Sequence, residues 1–464
     1  MFPGTYRKKL LLSFGFTGAI ASMLFIIVSP SLYLLGSFLV VVGVACLGSS
    51  FVLLNSFLPL LASNHPSVIP HQGKGEHESL DLQDMESERH DVSPVNESSS
   101  SSFPSRAEPQ DHASPELALS TKISSKGVGI GYIAAVFVQI LSILLLVGLS
   151  KVHFSSASIP LRLVLFLVGT WWAVFTVPCA LWLRDRPGPP LKSSFGRRGR
   201  FGQVFAYVFF AWSSVWKTIT VAFKLRQTVI FLVAWFLLSD AIATVSGTAI
   251  LFARTELKME TAPIAILSIT ATSSGIAGAF AWPAISRRYR IPTQRTIIAC
   301  VLLMEVIPIY GLTGYLPFVK SWGVGGLQQA WEIYPLGVVH GFVMGGLSSY
   351  CRSFYGLLIP PGSEAAFYAL YAITDKGSSA VGPAIVGLIV DGTGNLRSAF
   401  GFLAFLIALP IPLILWIDVE KGRSDAVQMA GSLGGSQGGG YERVLTTDGD
   451  AEDAEGLLDR PRRD

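Results

Sequence analysis

Long uninterrupted runs of apolar residues dominate this sequence, in place of the alternating or helically spaced patterns of soluble domains. A helix that crosses a bilayer needs roughly 20 consecutive apolar residues, and ten segments of the chain meet that requirement. They lie near residues 10–28, 32–62, 127–150, 160–182, 227–253, 262–283, 296–315, 331–352, 365–391 and 398–417. The pattern predicts an all-α, polytopic membrane protein built as a helical bundle.

Composition excludes a soluble protein. Half of the 464 residues are hydrophobic and only 14% are charged, and the mean hydropathy is +0.51. The net charge of +4 is small, and no basic patch interleaved with aromatic residues predicts a nucleic-acid partner. Four cysteines stand apart in or beside apolar runs without metal-ligand spacing, so we expect no metal and no cofactor. They are Cys46, Cys179, Cys300 and Cys351.

Basic residues follow alternate loops of the predicted topology. Cytosolic loops of membrane proteins carry an excess of Lys and Arg, and the segment 183–226 alone holds nine of them. The N-terminal stretch 7–9 and the loop 286–295, both rich in basic residues, fall on the same side as that segment. The pattern favours an even number of spans, with both termini in the cytosol.

Three regions lie outside the predicted spans. Residues 63–126 carry eleven Asp and Glu residues and a run of serines, which is typical of a disordered cytosolic loop. The tail 418–464 turns glycine-rich and then acidic, so it is also predicted to be disordered. Within the cytosolic linker 183–226, apolar residues recur at helical spacing from 199 onwards, which predicts an amphipathic helix in the membrane interface.

The linker divides the spans unequally. Residues 1–62 and 127–182 hold four spans, whereas residues 227–417 hold six. Transporters of the twelve-span kind consist of two six-span halves related by pseudo-symmetry. By that plan the first half is two spans short, and we expect a twelve-span bundle without its first two helices.

The sequence resembles a known family in three stretches and in its long acidic loop. The stretches are GTYRKKLLLSFGFTGAIASMLF, CLGSSFVLLNSFLPLLA and EAAFYALYAITDKGSSAVGPAIVGLI. They resemble the fungal autophagy-related vacuolar amino-acid effluxers of the major facilitator superfamily. The resemblance implies a twelve-span fold, a multi-pass place in the vacuole membrane, and export of amino acids, leucine and other neutral ones, from the lumen after autophagy.

Few charged side chains lie within the predicted spans. A charge at the bilayer centre costs roughly 2.5–3.5 kcal/mol on insertion scales, so such residues are candidates for a substrate or proton pathway. The candidates near mid-depth are Asp240, Glu305, His340, Asp375 and Lys376. Gln139, Tyr368 and Tyr371 are further candidates for contact with a zwitterionic substrate, although polar residues in spans more often join helices.

The spacing of these charges predicts how they pair. Neighbouring residues on a helix do not face one another, so we expect Lys376 to pair across the bundle with Asp240 or Glu305. The carboxylate left unpaired would take up a proton from the acidic lumen and release it to the cytosol, because burial disfavours charge. Alternatively, the charges form a structural pair, and His340 makes only a hydrogen bond between closely packed helices.

Two other functional classes stay open beside a transporter. An intramembrane enzyme finds no support, since the sequence holds no HExxH, GxSxG or phosphate-binding loop. A membrane scaffold or regulatory protein would act through the loop 63–126, and its mid-depth charges would be dispensable. We favour the transporter, whose partners would be an amino acid, protons and the lipid bilayer.

The tail contains a segment that resembles an acidic dileucine sorting signal. Its key residues are Asp453, Leu457 and Leu458. Cytosolic coat adaptors read such addresses when the segment is exposed, although a match this short also arises by chance. If replacing both leucines with alanine leaves delivery to the vacuole unchanged, the segment is not a signal.

Overall fold

The computed structural model describes residues 6–63, 115–150, 158–183 and 200–436, and all regular structure among them is helical. The first helices are α1 (Tyr6–Leu24), α2 (Tyr33–Ser63), α3 (Pro115–Ser150), α4 (Ile159–Trp182) and α5 (Arg200–Lys224). The next are α6 (Arg226–Thr255), α7 (Thr261–Arg288), α8 (Thr293–Thr313), α9 (Pro317–Trp322) and α10 (Ile333–Leu357). The last are α11 (Glu364–Ser378), α12 (Val381–Thr393), α13 (Ala399–Ala408), α14 (Pro410–Leu415) and α15 (Val419–Ser436).

Eight of the described helical segments are long and apolar enough to cross a membrane, against the ten spans predicted. The prediction of a polytopic α-helical membrane protein is confirmed. The predicted span 331–352 is one helix, α10, which carries many Gly, Ser and Tyr residues. The predicted span 365–391 is two helices, α11 and α12, separated at Ser379 and Ala380. The break has a local cause, because Pro383 has no N–H to offer the carbonyl of Ser379.

Helix α3 begins at Pro115, so the prediction of disorder across 63–126 is wrong for residues 115–126. The first turns of α3 bury small polar side chains such as Ser120 and Ser124. The Ser124 hydroxyl donates a hydrogen bond to the carbonyl of Ser349 on α10, at 3.2 Å. Small side chains let helices approach closely, and hydropathy alone does not predict this packing. Residues 64–114 lie outside the described part of the chain.

The prediction of disorder in the tail is wrong for α15. Asp418 begins this helix as its N-cap, because its Oδ1 accepts the backbone N–H of Lys421 at 3.1 Å. Gly422 then packs so close to Leu358 that a Cβ atom there would lie 2.5 Å from Leu358 Cδ2. Residues 437–464, and with them the predicted sorting signal, lie outside the described residues.

Helix α5 confirms the helix predicted between residues 199 and 226. Phe209, Trp212, Trp216 and Phe223 are largely exposed in it. Aromatic and aliphatic side chains on one face are typical of helices that lie along a membrane surface. Its place in the membrane interface stays a prediction.

The helices form two packed groups. Helix α1 packs against both α2 and α4, and α3 reaches across to α7 and α10. The buried hydrophobic core lies mainly among α6, α8, α10, α11 and α13. We call the end of the bundle with the turns 289–292, 358–363 and 416–418 the basic end. We call the end with the segments 256–260, 314–332 and 394–398 the loop end.

Candidate functional site

Helices α7 and α10 cross with their backbones in contact. A Cβ atom on Gly341 would lie 1.8 Å from the carbonyl oxygen of Ala271, and one on Gly345 would lie 2.2 Å from that of Gly275. Only glycine permits so close an approach at these positions, and small residues are the usual means of close packing between membrane helices. The crossing therefore fixes the relative positions of the side chains on both helices.

A cavity of about 320 Å³ lies on the loop-end side of this crossing. Its volume is at the lower end of the range of small-molecule sites, roughly 300–1,000 Å³. Helices α6, α7, α8, α10 and α13 supply most of its walls, which are largely apolar. Among the lining residues that the structure describes, Tyr132 alone comes from a helix before α6. The polar lining residues are Tyr132, Ser246, Ser268, Thr272 and His340.

The His340 ring belongs to the cavity lining, and one of its two nitrogens has no hydrogen-bond partner among the described residues. Its Nε2 lies 3.2 Å from the Ser246 hydroxyl, which itself donates to the carbonyl of Ile242 at 2.8 Å. Because the Ser246 hydroxyl already donates its proton to that carbonyl, it can only accept from the ring. In the neutral ring Nε2 is therefore the donor, which leaves Nδ1 as the acceptor. Nδ1 is buried and has no hydrogen-bond partner within the described ranges. The neutral ring therefore keeps one acceptor that no described residue uses.

Gln139 joins α3 to the wall of the same cavity. Its Nε2 donates to the hydroxyls of Ser268 and Thr272 on α7, at 3.4 and 3.3 Å. Its Oε1 is buried without a partner among the residues described. Gln139 therefore links two helices, as polar residues in membrane spans often do, and it adds a second unused acceptor beside the lining hydroxyls.

The Glu332 carboxylate organises the chain at the loop end of the cavity. It is 2% exposed and lies in the 3₁₀ turn just before α10. It accepts the backbone N–H groups of Gly325, Leu327 and Gln329 at 2.7–3.0 Å and the Tyr310 hydroxyl at 3.0 Å. Burial alone would raise the pKa of Glu332, but these hydrogen bonds outweigh it and hold the pKa below its usual value.

The Arg397 guanidinium holds the same segment from the other side. It donates to the carbonyl of Gly326 and, at 2.8 Å, to that of Leu327. It also lies 5.3 Å from the ring centroid of Phe252, a residue of the cavity wall. Both charged residues therefore act on one short piece of backbone that borders the cavity.

Comparison with known proteins places the chain in a family. The family model described as "Vacuole effluxer Atg22 like" matches residues 3–427. The chain belongs to this family. It is 58% identical to Autophagy-related protein 22-1 of Sclerotinia sclerotiorum, across 98% of this chain and 76% of the relative. It is 57% identical to Autophagy-related protein 22 of Botryotinia fuckeliana, with the same coverage of both chains.

Membership of the Atg22-like family confirms the resemblance and makes the chain a multi-pass transporter of the vacuole membrane. One solved structure, a bacterial homolog to the human lysosomal transporter Spinster, is 12% identical with a TM-score of 0.36. The match covers 92% of this chain and 84% of that one. A likeness this slight supports no conclusion about fold or function.

In this Atg22-like effluxer, Asp240 and Asp375 both lie at the break between α11 and α12. Asp240 is 2% exposed, and its Oδ1 accepts the N–H of Gly382 in the first turn of α12 at 3.0 Å. A carboxylate is stabilising at that place, because the N-terminus of a helix carries partial positive charge. The Ser239 hydroxyl donates to Oδ1 of Asp375 at 2.7 Å. Neither carboxylate lines the cavity.

The predicted pairing of Lys376 is wrong. Its Nζ lies 3.0 Å from Oδ2 of the adjacent Asp375, not near Asp240 or Glu305. The Lys376 side chain is 82% exposed and lies in the last turn of α11. At this end of the helix the flexible lysine side chain bends back toward Asp375. Neighbouring residues on a helix usually point apart, but here that geometry does not keep the two charges separate.

Tyr368 and Tyr371 lie in the aromatic core rather than on the cavity wall. The Tyr371 ring stacks on Trp235, with 4.7 Å between ring centroids, and on Tyr355, with 5.2 Å. The Tyr368 hydroxyl donates to the carbonyl of Arg352 at 3.0 Å. These contacts give both tyrosines a packing role, and their contact with a substrate stays a prediction.

Glu305 lies on α8, apart from the other predicted charges. Its Oε2 is buried and has no hydrogen-bond partner in the described part of the chain. The same part of the chain contains no group of three His, Cys, Asp or Glu side chains that could hold a metal ion.

Sequence reasoning missed the lining hydroxyls and the residues that hold the loop end. The missed residues are Tyr132, Ser246, Ser268, Thr272, Glu332 and Arg397. The hydroxyls carried no charge to mark them within an apolar run. The glycines of α10 at every fourth position, Gly337, Gly341 and Gly345, were the available signal of a close helix crossing.

Proposed function

We propose that this effluxer carries neutral amino acids, leucine among them, from the vacuole lumen to the cytosol through the cavity between α6, α7 and α10. The observation that carries the proposal is a largely apolar cavity whose polar lining side chains, among them His340, Ser268 and Thr272, are hydrogen-bonding groups. An ammonium group offers several donors to such groups. An aliphatic side chain gains free energy by leaving water for apolar walls. The names of the relatives support a place in recycling after autophagy.

The composition of the walls favours neutral side chains. No Asp, Glu, Lys or Arg stands among the lining residues that the structure describes. A substrate with a charged side chain would be buried there without a countercharge, which is costly. Arginine and glutamate are therefore expected to be poor substrates.

The position of the cavity agrees with uptake from the lumen. The excess of basic residues favours a cytosolic basic end, and in that orientation the cavity lies toward the lumen. Two contacts join helices toward the basic end: the Ser124 hydroxyl donates to the carbonyl of Ser349, and the Arg352 guanidinium lies 5.2 Å from the ring centroid of Phe51. A cavity on one side of the bundle and packed helices on the other suit one state of an alternating-access carrier.

Protons are the coupling ion in this proposal. Glu305 is a half-buried residue whose carboxylate oxygen Oε2 is buried and has no partner in the described ranges, so it is suited to take up a proton from an acidic lumen. Release on the cytosolic side would couple export of the solute to proton movement down its gradient.

Flux through reconstituted vesicles tests the function. We expect saturable leucine transport that alanine, valine and isoleucine compete with and that arginine and glutamate do not. Replacing His340 with phenylalanine keeps a ring in place but removes the acceptor, so the KM for leucine should rise about tenfold, the cost of one lost hydrogen bond. Thr270→Val, at a half-buried position of α7 that is not among the lining residues, is the matched control. Absence of any amino-acid flux would refute the proposal.

The orientation has its own test. The acceptor triplet for N-glycosylation, Asn96-Glu97-Ser98, lies in the loop assigned to the cytosol and outside the described residues. We expect it to stay unmodified, because glycosylation takes place on the lumenal side. The measurement is the electrophoretic mobility of the chain with and without endoglycosidase. A mass shift removed by the enzyme would reverse the orientation.

A further inference from the structure

We propose that Leu327 determines the size of the amino acid that the cavity accepts, and that Glu332 and Arg397 are positioning residues that hold it in place. The inference rests on the proposed function, because it concerns the selectivity of the same cavity. It adds a residue from an extramembrane segment to a site otherwise built from helices.

Leu327 enters the cavity wall from the loop between α9 and α10. It is 3% exposed and is one of the lining residues. Its φ of +61° lies in the left-handed region, which disfavours a leucine. A residue in that conformation persists only where its surroundings impose it, and such residues concentrate at functional sites. Leu327 therefore occupies a position that the surrounding structure imposes on it.

The residues that impose the conformation are charged and act on both backbone groups of Leu327. The N–H of Leu327 donates to Oε2 of Glu332 at 2.7 Å, and its carbonyl accepts from Nη2 of Arg397 at 2.8 Å. Hydrogen bonds that involve a charged partner are about twice as strong as neutral ones. The backbone of Leu327 is thus fixed between an anion and a cation.

The same two residues connect Leu327 to the helices of the cavity. Glu332 directly precedes Ile333, the first residue of α10 and part of the cavity wall. Arg397 lies just before α13, whose Phe400 also lines the cavity. A shift of Leu327 would require these helix starts to shift as well, so its side chain acts as a fixed wall rather than a mobile cover.

The hydrogen bonds by which Glu332 holds Leu327 persist in acid. Because the pKa of Glu332 is lowered in the folded chain, its contribution to stability is fully present above the ordinary glutamate pKa of about 4.3 and is lost only as the pH falls through the lower folded value. The carboxylate therefore stays ionised in an acidic lumen. The wall formed by Leu327 should have the same position on either side of neutral pH.

Two substitutions change the size of the side chain in opposite directions. Leu327→Gly removes the side chain, and glycine adopts a positive φ without strain, so the backbone conformation at this position is kept. Leu327→Phe fills part of the cavity. We expect the ratio of phenylalanine flux to alanine flux in vesicles to rise about tenfold in the first variant and to fall about tenfold in the second. Leu316→Ala, at an exposed position of the loop end, is the control and should keep the wild-type ratio.

A substitution that removes the charge of Glu332 tests its positioning role. Glu332→Gln keeps the shape of the side chain. It removes the charged acceptor of the backbone N–H groups of Gly325, Leu327 and Gln329. We expect the flux ratio to shift in the same direction as in Leu327→Gly, by a smaller factor, with the KM values of the substrates changing more than kcat. A merely structural role would lower the flux of all substrates alike.

The outcomes separate this proposal from the function on which it rests. If neither Leu327 variant changes the ratio, or if both lower all fluxes equally, Leu327 does not determine size. If Glu332→Gln keeps the wild-type ratio, Glu332 is not a positioning residue. If the wild-type chain transports no amino acid, the proposed function fails instead. The unfolding temperature of each purified variant confirms that the compared proteins are folded.

Discussion

Replacing Gly341 with alanine is expected to prevent stable packing of α7 against α10. The added methyl group would lie 1.8 Å from the carbonyl oxygen of Ala271. Neither atom belongs to a flexible side chain, so the helices would have to separate along a contact that Gly345 and Gly278 also make at backbone distance. Overpacking of a core usually costs about 1–3 kcal/mol, and we expect a larger loss here because two backbones must move.

The unfolding temperature and the monodisperse fraction of the detergent-solubilised protein measure this effect. Gly401→Ala on α13 is the matched control, because no heavy atom lies within 4 Å of the Cβ that it would add. Alanine is also the better helix former, so the control should unfold at the wild-type temperature or slightly above it. Equal unfolding temperatures for Gly341→Ala and Gly401→Ala would show that the close crossing does not exist in the folded protein.

Replacing Glu305 with glutamine is expected to remove the dependence of amino-acid flux on the pH gradient. Glutamine keeps the size and polarity of the side chain but cannot bind and release a proton. If Glu305 carries the proton, flux into vesicles with an imposed gradient should fall to the rate measured without one. That basal rate should remain, because Glu305 is not among the residues that line the cavity.

The control for this experiment is Glu260→Gln, which removes an exposed carboxylate at the loop end. It should keep the full response to the gradient. Asp240→Asn provides a comparison inside the bundle, because Asp240 is already hydrogen-bonded to Gly382. If Glu305→Gln retains the wild-type response and Asp240→Asn loses it, the proton is carried at the break between α11 and α12. If both retain it, protons are not coupled through these carboxylates.

Much of the fold followed from the sequence because the bilayer imposes simple requirements on it. Each long apolar run must satisfy its own backbone polar groups, so it forms a helix. The amphipathic spacing before residue 226 likewise predicted α5. The start of α3 was missed because its buried face consists mainly of serine and threonine, and a stretch rich in these residues has the composition of a polar loop.

The candidate site was less predictable, because it depends on where helices cross. Mid-depth charge singled out His340, which does border the cavity, but also Lys376, which lies exposed at a helix end. Depth along a span does not tell which way a side chain points. The contribution of Leu327 could not be read from the sequence either, since it depends on a positive φ that Glu332 and Arg397 impose together.

The interrupted helix α11–α12 bears on which parts of the bundle can move separately. The break leaves the carbonyl of Asp375 without its regular helical donor, and the hydroxyls of Ser239, Ser378 and Ser379 take that place. On the other side of the break, Asp240 takes the N–H of Gly382. Pulling α6 away would leave the N–H of Gly382 without its acceptor, at a cost of several kcal/mol in hydrocarbon, whereas the carbonyl of Asp375 would keep Ser378 and Ser379. We therefore expect α6, α11 and α12 to move together as one body when the bundle changes shape.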